Sequence, residues 1–229
     1  MGEFIGFPER CLAFLSELKA NNSREWFNQR QGDFETSVRE PSLAFISAAA
    51  PLLGNLSPHF RAIAKKSGGS LMRVHRDTRF SKDKTPYKTN IGIQFRHESG
   101  KDVHAPGFYL HIEPGGCFIG AGIWRPDSAA LTKIRDFLID NPAAWKKARA
   151  YAPFKKHFRL EGDKLQRPPR GYPGEHELVE DLKRRDFIAC RGFDDSEIGQ
   201  KAFLTMVMGG FRQCDPFMRY LCTALEVPY

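Results

Sequence analysis

Residues 108–124, FYLHIEPGGCFIGAGIW, decide the fold. Phe108, Leu110 and Ile112 alternate with Tyr109, His111 and Glu113. After the Glu113-Pro114-Gly115-Gly116 turn, Cys117, Ile119, Ala121 and Ile123 alternate with Phe118, Gly120, Gly122 and Trp124. Strict alternation marks a strand with one buried face, because side chains on a strand repeat with period two. Two such runs joined by a Pro-Gly-Gly turn predict an antiparallel hairpin. Upstream, Ile91, Ile93 and Phe95 alternate with Gly92, Gln94 and Arg96, and Met72 and Val74 with Arg73 and His75, which predicts two more strands.

On either side the apolar spacing becomes helical. Phe7-Pro8 opens a first helix to Ala20 with Leu12, Leu15 and Leu18 on one stripe; Asn22, three residues before Glu25, reads as the cap of a second; Pro41 starts a third. Beyond the sheet, Asp127 or Ser128 caps a helix to about Asp140 in which Arg135 points back toward the sheet, and Asn141-Pro142 starts another containing Trp145. Gln166 to His176 is a Pro/Gly-rich loop, Glu175 to Arg185 reads as helical, Asp186 to Cys190 as a short strand, and Ser196 onward as two helices separated near Gly209-Gly210. The expected fold is α+β, a single domain over 1–229: a helical part at 7–66, a largely antiparallel sheet of about four to six strands at 70–125, and a helical and loop part at 127–229.

If every apolar set faces the helices, the opposite sheet face holds Arg73, His75, Gln94, Arg96, Tyr109, His111, Glu113 and Trp124. Gly120 and Gly122 on that face suggest space cleared for a ligand or for another chain segment, since glycine weakens a strand unless something approaches its backbone. A C-terminal half folded over the face is the competing reading.

Residues 71–88, LMRVHRDTRFSKDKTPYK, place charge beside this face. Arg73, Arg76, Arg79, Lys84 and Lys88 are candidate contacts to a phosphate or carboxylate, because arginine offers a planar two-pronged donor and lysine a mobile point charge; Asp77 and Asp83 would orient them. Tyr109, Trp124 and Arg170, the last in a stiff loop that could close over an anion, complete the candidate ligand contacts. His111 is the candidate for acid/base work and Glu113 for its orienter. A set of His75, His111 and Glu113 is conceivable as metal ligands, but hydrogen-bonded histidines are the simpler reading, and no metal or cofactor is assigned.

A formal net charge of +8 favours anionic partners: a small anion, or nucleic acid held by the same loop with Lys146 to Lys156 and with Tyr87, Tyr109 or Trp124 stacking on bases. A protein-interaction scaffold is the third reading. Five scattered cysteines without a Cys-x-x-Cys pair argue against disulfides and structural zinc and suit a reducing cytoplasm. No apolar run is long enough to span a membrane, and Met1 to Phe7 lacks the features of a secretory signal. No phosphate-binding glycine loop, Gly-x-Ser-x-Gly elbow, dinucleotide fingerprint or kinase signature is present, and no sequence signal sets the oligomeric state.

The chain resembles a family of bacterial and fungal proteins designated domain of unknown function 2461. The resemblance is carried by Asn21-Asn22 with Trp26-Phe27, Arg73, Arg76-Asp77-Thr78-Arg79-Phe80, Asp83-Lys84-x-Pro86-Tyr87-Lys88, Ala105-Pro106-Gly107-x-Tyr109 with His111, Gly120-x-Gly122-x-Trp124-x-Pro126, and Pro169-Arg170-Gly171-Tyr172. It covers almost the whole chain. The resemblance implies one domain built around the basic motif, and brings no activity, substrate or cofactor.

Overall fold

The computed structural model describes residues 4–100 and 106–229; Ala105 of the motif above lies outside them. Six strands form one antiparallel sheet: β1 (Phe60–Arg61), β2 (Ile91–His97), β3 (Gly107–Ile112), β4 (Phe118–Ile123), β5 (Arg159–Glu161) and β6 (Phe187–Gly192), in the order β1-β2-β3-β4-β6-β5. The hairpin expected at 108–124 pairs Tyr109 with Gly120 and Leu110 with Ile119. Ile91, Ile93, Phe95, Phe108, Leu110, Ile112, Ile119, Ala121, Ile123, Phe187 and Ala189 are all buried on one face. Each large side chain among them contributes roughly 1.5–3 kcal/mol by leaving water.

Helices from both ends of the chain cover that face. The N-terminal part comprises α1 (Arg10–Ala20), α2 (Arg24–Gln29), and a continuous run of α3 (Gln31–Phe34), a π turn (Glu35–Arg39) and α4 (Glu40–Leu56). The C-terminal part supplies α5 (Ser128–Asp140), α6 (Pro142–Ala150), α7 (Ala152–His157), the short α8 (Val179–Leu182), α9 (Phe203–Gln213) and α10 (Asp215–Ala224). Phe211 of α9 meets Phe95 and Phe108 at 5.9 and 4.8 Å between ring centres, and Trp145 of α6 meets Phe187 at 6.0 Å. Phe45 and Phe203 join the two helical groups at 5.8 Å. Asp127 caps α5 by accepting from the Ala130 amide at 2.7 Å, as its position before the helix predicts.

Several expectations are corrected. Residues 72–75 are not a strand: only Leu71 and His75 form isolated bridges, to Ile93 and Tyr87, so Arg73 and His75 do not share the sheet face. Ser23 rather than Asn22 caps α2, through the Trp26 amide at 3.2 Å. Asn22 instead donates to the Tyr87 carbonyl at 2.9 Å and accepts from the Tyr87 amide at 3.0 Å, tying the basic segment to the helical layer. Only Val179–Leu182 of 175–185 is helical. Arg135 reaches the carbonyls of Leu182 and Arg184, at 2.8 and 3.0 Å, rather than the sheet. Gly209-Gly210 lies inside α9, whose end falls at Cys214. A Cβ on Gly210 would stand 2.1 Å from Ile119 Cδ1, so the glycine lets the helix approach the sheet.

The two glycines of β4 also separate. Gly122 has φ +124°, and a Cβ there would sit 2.0 Å from the Phe187 carbonyl oxygen, so strand packing demands it. At Gly120 the nearest atoms would be 3.7 Å away, ordinary contact, so a Cβ could be accommodated there. In urea unfolding, Gly122→Ala is expected to lose more than about 2 kcal/mol, whereas Gly120→Ala is expected to be neutral or stabilising by up to about 1 kcal/mol. Equal losses from the two would contradict the distinction.

Candidate functional site

Antiparallel register determines what lines the helix-free face. Gly92 opposes His111, Gln94 opposes Tyr109, and Tyr109 opposes Gly120, which opposes Cys190. Across these positions runs a groove of about 460 Å³, bounded by Met72, Lys88, Asn90, Gln94, Tyr109, His111, Phe118, Gly120, Trp124, Glu161, Ile188 and Cys190 among others. Among the described residues no lining residue comes from a helix, and the C-terminal half contributes Glu161, Ile188 and Cys190 from β5 and β6. Its volume is in the roughly 300–1,000 Å³ range of small-molecule sites.

Tyr109, His111 and Glu113 form a hydrogen-bonded chain at one end. The Tyr109 hydroxyl lies 3.1 Å and the Asn90 amide nitrogen 3.4 Å from His111 Nδ1, and His111 Nε2 lies 3.2 Å from Glu113 Oε2. Two donors at Nδ1 and a carboxylate at Nε2 select the tautomer with hydrogen on Nε2. The imidazole stacks on Phe118 at 4.7 Å and 16°. Burial pushes its pKa below the ordinary imidazole value, against the opposing pull of Glu113. A neutral imidazole held this way is an available proton acceptor. Its depressed pKa also means that stability is present above the ordinary imidazole value and is lost as pH falls through the window below it. Burial raises the Tyr109 phenol to about 12, with the Glu113 charge adding, so Tyr109 is a protonated donor near neutrality. Thr89 donates to Glu113 Oε1 at 3.3 Å, and Lys19 of α1 stands 3.7 Å from the same oxygen.

Gly92 makes this geometry fit. A Cβ there would lie 2.8 Å from both the Tyr109 hydroxyl and Met72 Sδ, so a larger residue would have to displace the phenol or the thioether. The alternation of β2 contained this signal, but without the register Gly92 could not be assigned to Tyr109.

Lys88 supplies the cation lining the groove. It is half-buried, burial pushes its pKa below the ordinary lysine value and the neighbouring Arg73 charge adds to the effect. No salt bridge joins Lys88 to a carboxylate among the described residues. Lys88 and Asn90 also border an adjoining cavity of about 340 Å³ with Lys19, Asn22, Arg76, Asp83 and Thr85. Arg73 is exposed and lines a separate small cleft with Arg39 and Lys66.

The other basic-loop residues lie outside the groove and largely satisfy one another. Arg76 bonds Asp83 and Thr85, Arg79 pairs with Asp77 at 2.7 Å, and Lys84 donates to the Thr78 carbonyl at 2.9 Å. Arg76, followed by the Thr85 amide, holds the Asp83 carboxyl at about 2; Arg79 does the same for Asp77. Arg170 is exposed in a loop anchored on α5 through Tyr172 to Asp136 at 2.7 Å, and lines none of the cavities described. Trp124 stays half-exposed at the groove, under the Arg125 guanidinium at 4.7 Å. His75, whose ring lies tilted beside Tyr87 at 5.2 Å, is not gathered with His111 and Glu113: among the described residues there is no group of three or more metal-ligating side chains. Sequence reasoning missed Asn90, Met72, Glu161 and Ile188, of which the last two come from strands too short or too distant in sequence to place.

Among the described residues no helix is long and apolar enough to cross a membrane, and all five cysteines are unpaired. No curated protein matches the chain. A family model described as conserved hypothetical protein, DUF2461, matches residues 10–220, taking in the basic loop, the groove and the helices beneath it. The chain therefore belongs to the DUF2461 family.

Proposed function

We propose that the groove binds a small molecule bearing a phosphate or carboxylate, and that the Tyr109–His111–Glu113 chain accepts a proton from it. One observation carries this reading: a half-buried lysine without a carboxylate partner opens into a ligand-sized groove beside a hydrogen-bonded acid/base chain. Placing Lys88 in partial burial costs free energy that a bound anion would offset. Tyr109 would meet the ligand, passing its own hydrogen to His111 Nδ1 as it accepts one; Glu113 would stabilise the resulting imidazolium, and Lys88 the negative charge left on the ligand. The free thiols support a cytoplasmic setting. The internal pairing of Arg76, Arg79 and Lys84 argues against the loop serving mainly as a nucleic-acid clamp.

Two measurements test this. In thermal unfolding with a panel of phosphorylated and carboxylated metabolites, an active compound at one hundred times its Kd should stabilise the protein by about 2.7 kcal/mol. Lys88→Met should abolish that gain and Arg79→Gln should preserve it. An oligonucleotide that stabilises the protein through Arg79 and Lys84, with steep loss at high salt, would instead favour nucleic-acid binding. In an NMR titration of the histidine rings, Tyr109→Phe should raise the pKa of His111, since a donor to Nδ1 favours the neutral ring, and Glu113→Gln should lower it. No movement in either variant would contradict the proton chain.

A further inference from the structure

The groove is not uniformly polar. Between its ends the floor is the bare backbone at Gly120, and the walls are Phe118, Ile188, Met72 and the half-exposed Trp124. Lys88 and His111 stand at one corner and Glu161 of β5 at the other. Glu161 points to the groove face because it pairs with Ile188, which opposes Gly122. It makes no salt bridge among the described residues. Arg159, two residues earlier on the same face of β5, donates to the carbonyls of Lys155 and Phe158 at 2.9 Å each, and no salt bridge joins it to Glu161 among the described residues. Cys190 stands against Glu161 as a protonated thiol: burial, and then Glu161, push it up to about 12.

The sheet sets the span. His111 and Glu161 are three strands apart and four residues apart along the sheet. With about 4.8 Å between strands and about 3.3 Å per residue, the diagonal is on the order of 20 Å. A phosphorylated sugar or an amino acid would reach one corner and leave the apolar middle wet.

We propose that the ligand is an elongated, mostly apolar molecule with an anionic head at Lys88 and an amine or hydroxyl donor at Glu161. The proposal rests on the reading of the groove as an anion site and adds the ligand class. An apolar body would displace water from Phe118, Ile188 and Trp124, and opposite ends of the ligand would meet opposite charges, which also fixes its direction in the groove.

The test uses the full chain and three probes: ω-aminododecanoate, dodecanoate and inorganic phosphate, with affinity read by calorimetry below the micelle range. The expected order is ω-aminododecanoate about tenfold tighter than dodecanoate, and both far tighter than phosphate, a tenfold step being about 1.4 kcal/mol. Glu161→Gln should remove the tenfold preference while leaving dodecanoate unchanged. Lys88→Met should weaken both amphiphiles at least tenfold, and Gly120→Val, which fills the floor, should weaken both while phosphate is unaffected. Equal affinity for the two amphiphiles, or no effect of Glu161→Gln, overturns the donor end of the proposal. Lys88-dependent binding of phosphate without either amphiphile overturns the ligand class but leaves the anion site standing. Binding of none of the three, with an inactive metabolite panel, overturns both.

Discussion

The register of the three central strands constrains everything else in this protein. Once Leu110 pairs with Ile119 and Ile93 with Leu110, each bulky apolar side chain in β2, β3 and β4 falls on one face. The helices bury their apolar sides against that face, where Phe211 and Trp145 meet Phe108 and Phe187 ring to ring, and Phe60 of β1 meets Phe108 from the sheet edge. A slip of one residue would turn Tyr109 and His111 into the core and Leu110 to solvent. The same register that builds the core therefore exposes the phenol, the imidazole and the bare backbone of Gly120 together. Site and stability are two faces of one set of pairings.

The basic segment depends on that sheet without being part of it. Asn22 clamps both backbone groups of Tyr87, whose ring stacks on Phe27 at 4.1 Å. This anchors Tyr87 against the helices, and the adjacent Lys88 reaches the groove. Beyond the anchor the loop closes on itself through carboxylates, and its tip exposes Phe80 almost completely. A charge-dense sequence has thus produced one ammonium on the groove rather than a cationic surface inside it. Exposed pairs of this kind add little stability, roughly 0–1 kcal/mol each, and their role is to shape the loop.

The three central strands, the hairpin position, the one-sided core and the grouping of Tyr109 with His111 could all be read from the alternation of 91–96 and 108–124, because period two is a local property. What could not be read was set by distant partners. Arg73 and His75 alternate correctly but find no ladder beyond single bridges at Leu71 and His75. Gly120 and Gly122 look equivalent in sequence, yet Phe187, sixty-odd residues away, makes only Gly122 obligatory. Gly210 likewise reads as a helix break until Ile119 is placed beneath it. β5 spans three residues and has too little pattern to announce itself, which is why Glu161 was invisible. Family membership over residues 10–220 leaves the chemistry to be argued from the site.

The central claim is that Lys88 is a partly desolvated cation awaiting an anion. The direct measurement is an NMR titration of its ammonium carbon, assigned with Lys88→Arg, in the free protein and again with saturating dodecanoate or inorganic phosphate. The account predicts a pKa below the ordinary lysine value in the free protein and a rise toward or above it when the anion binds. An ordinary pKa that neither anion moves would contradict it.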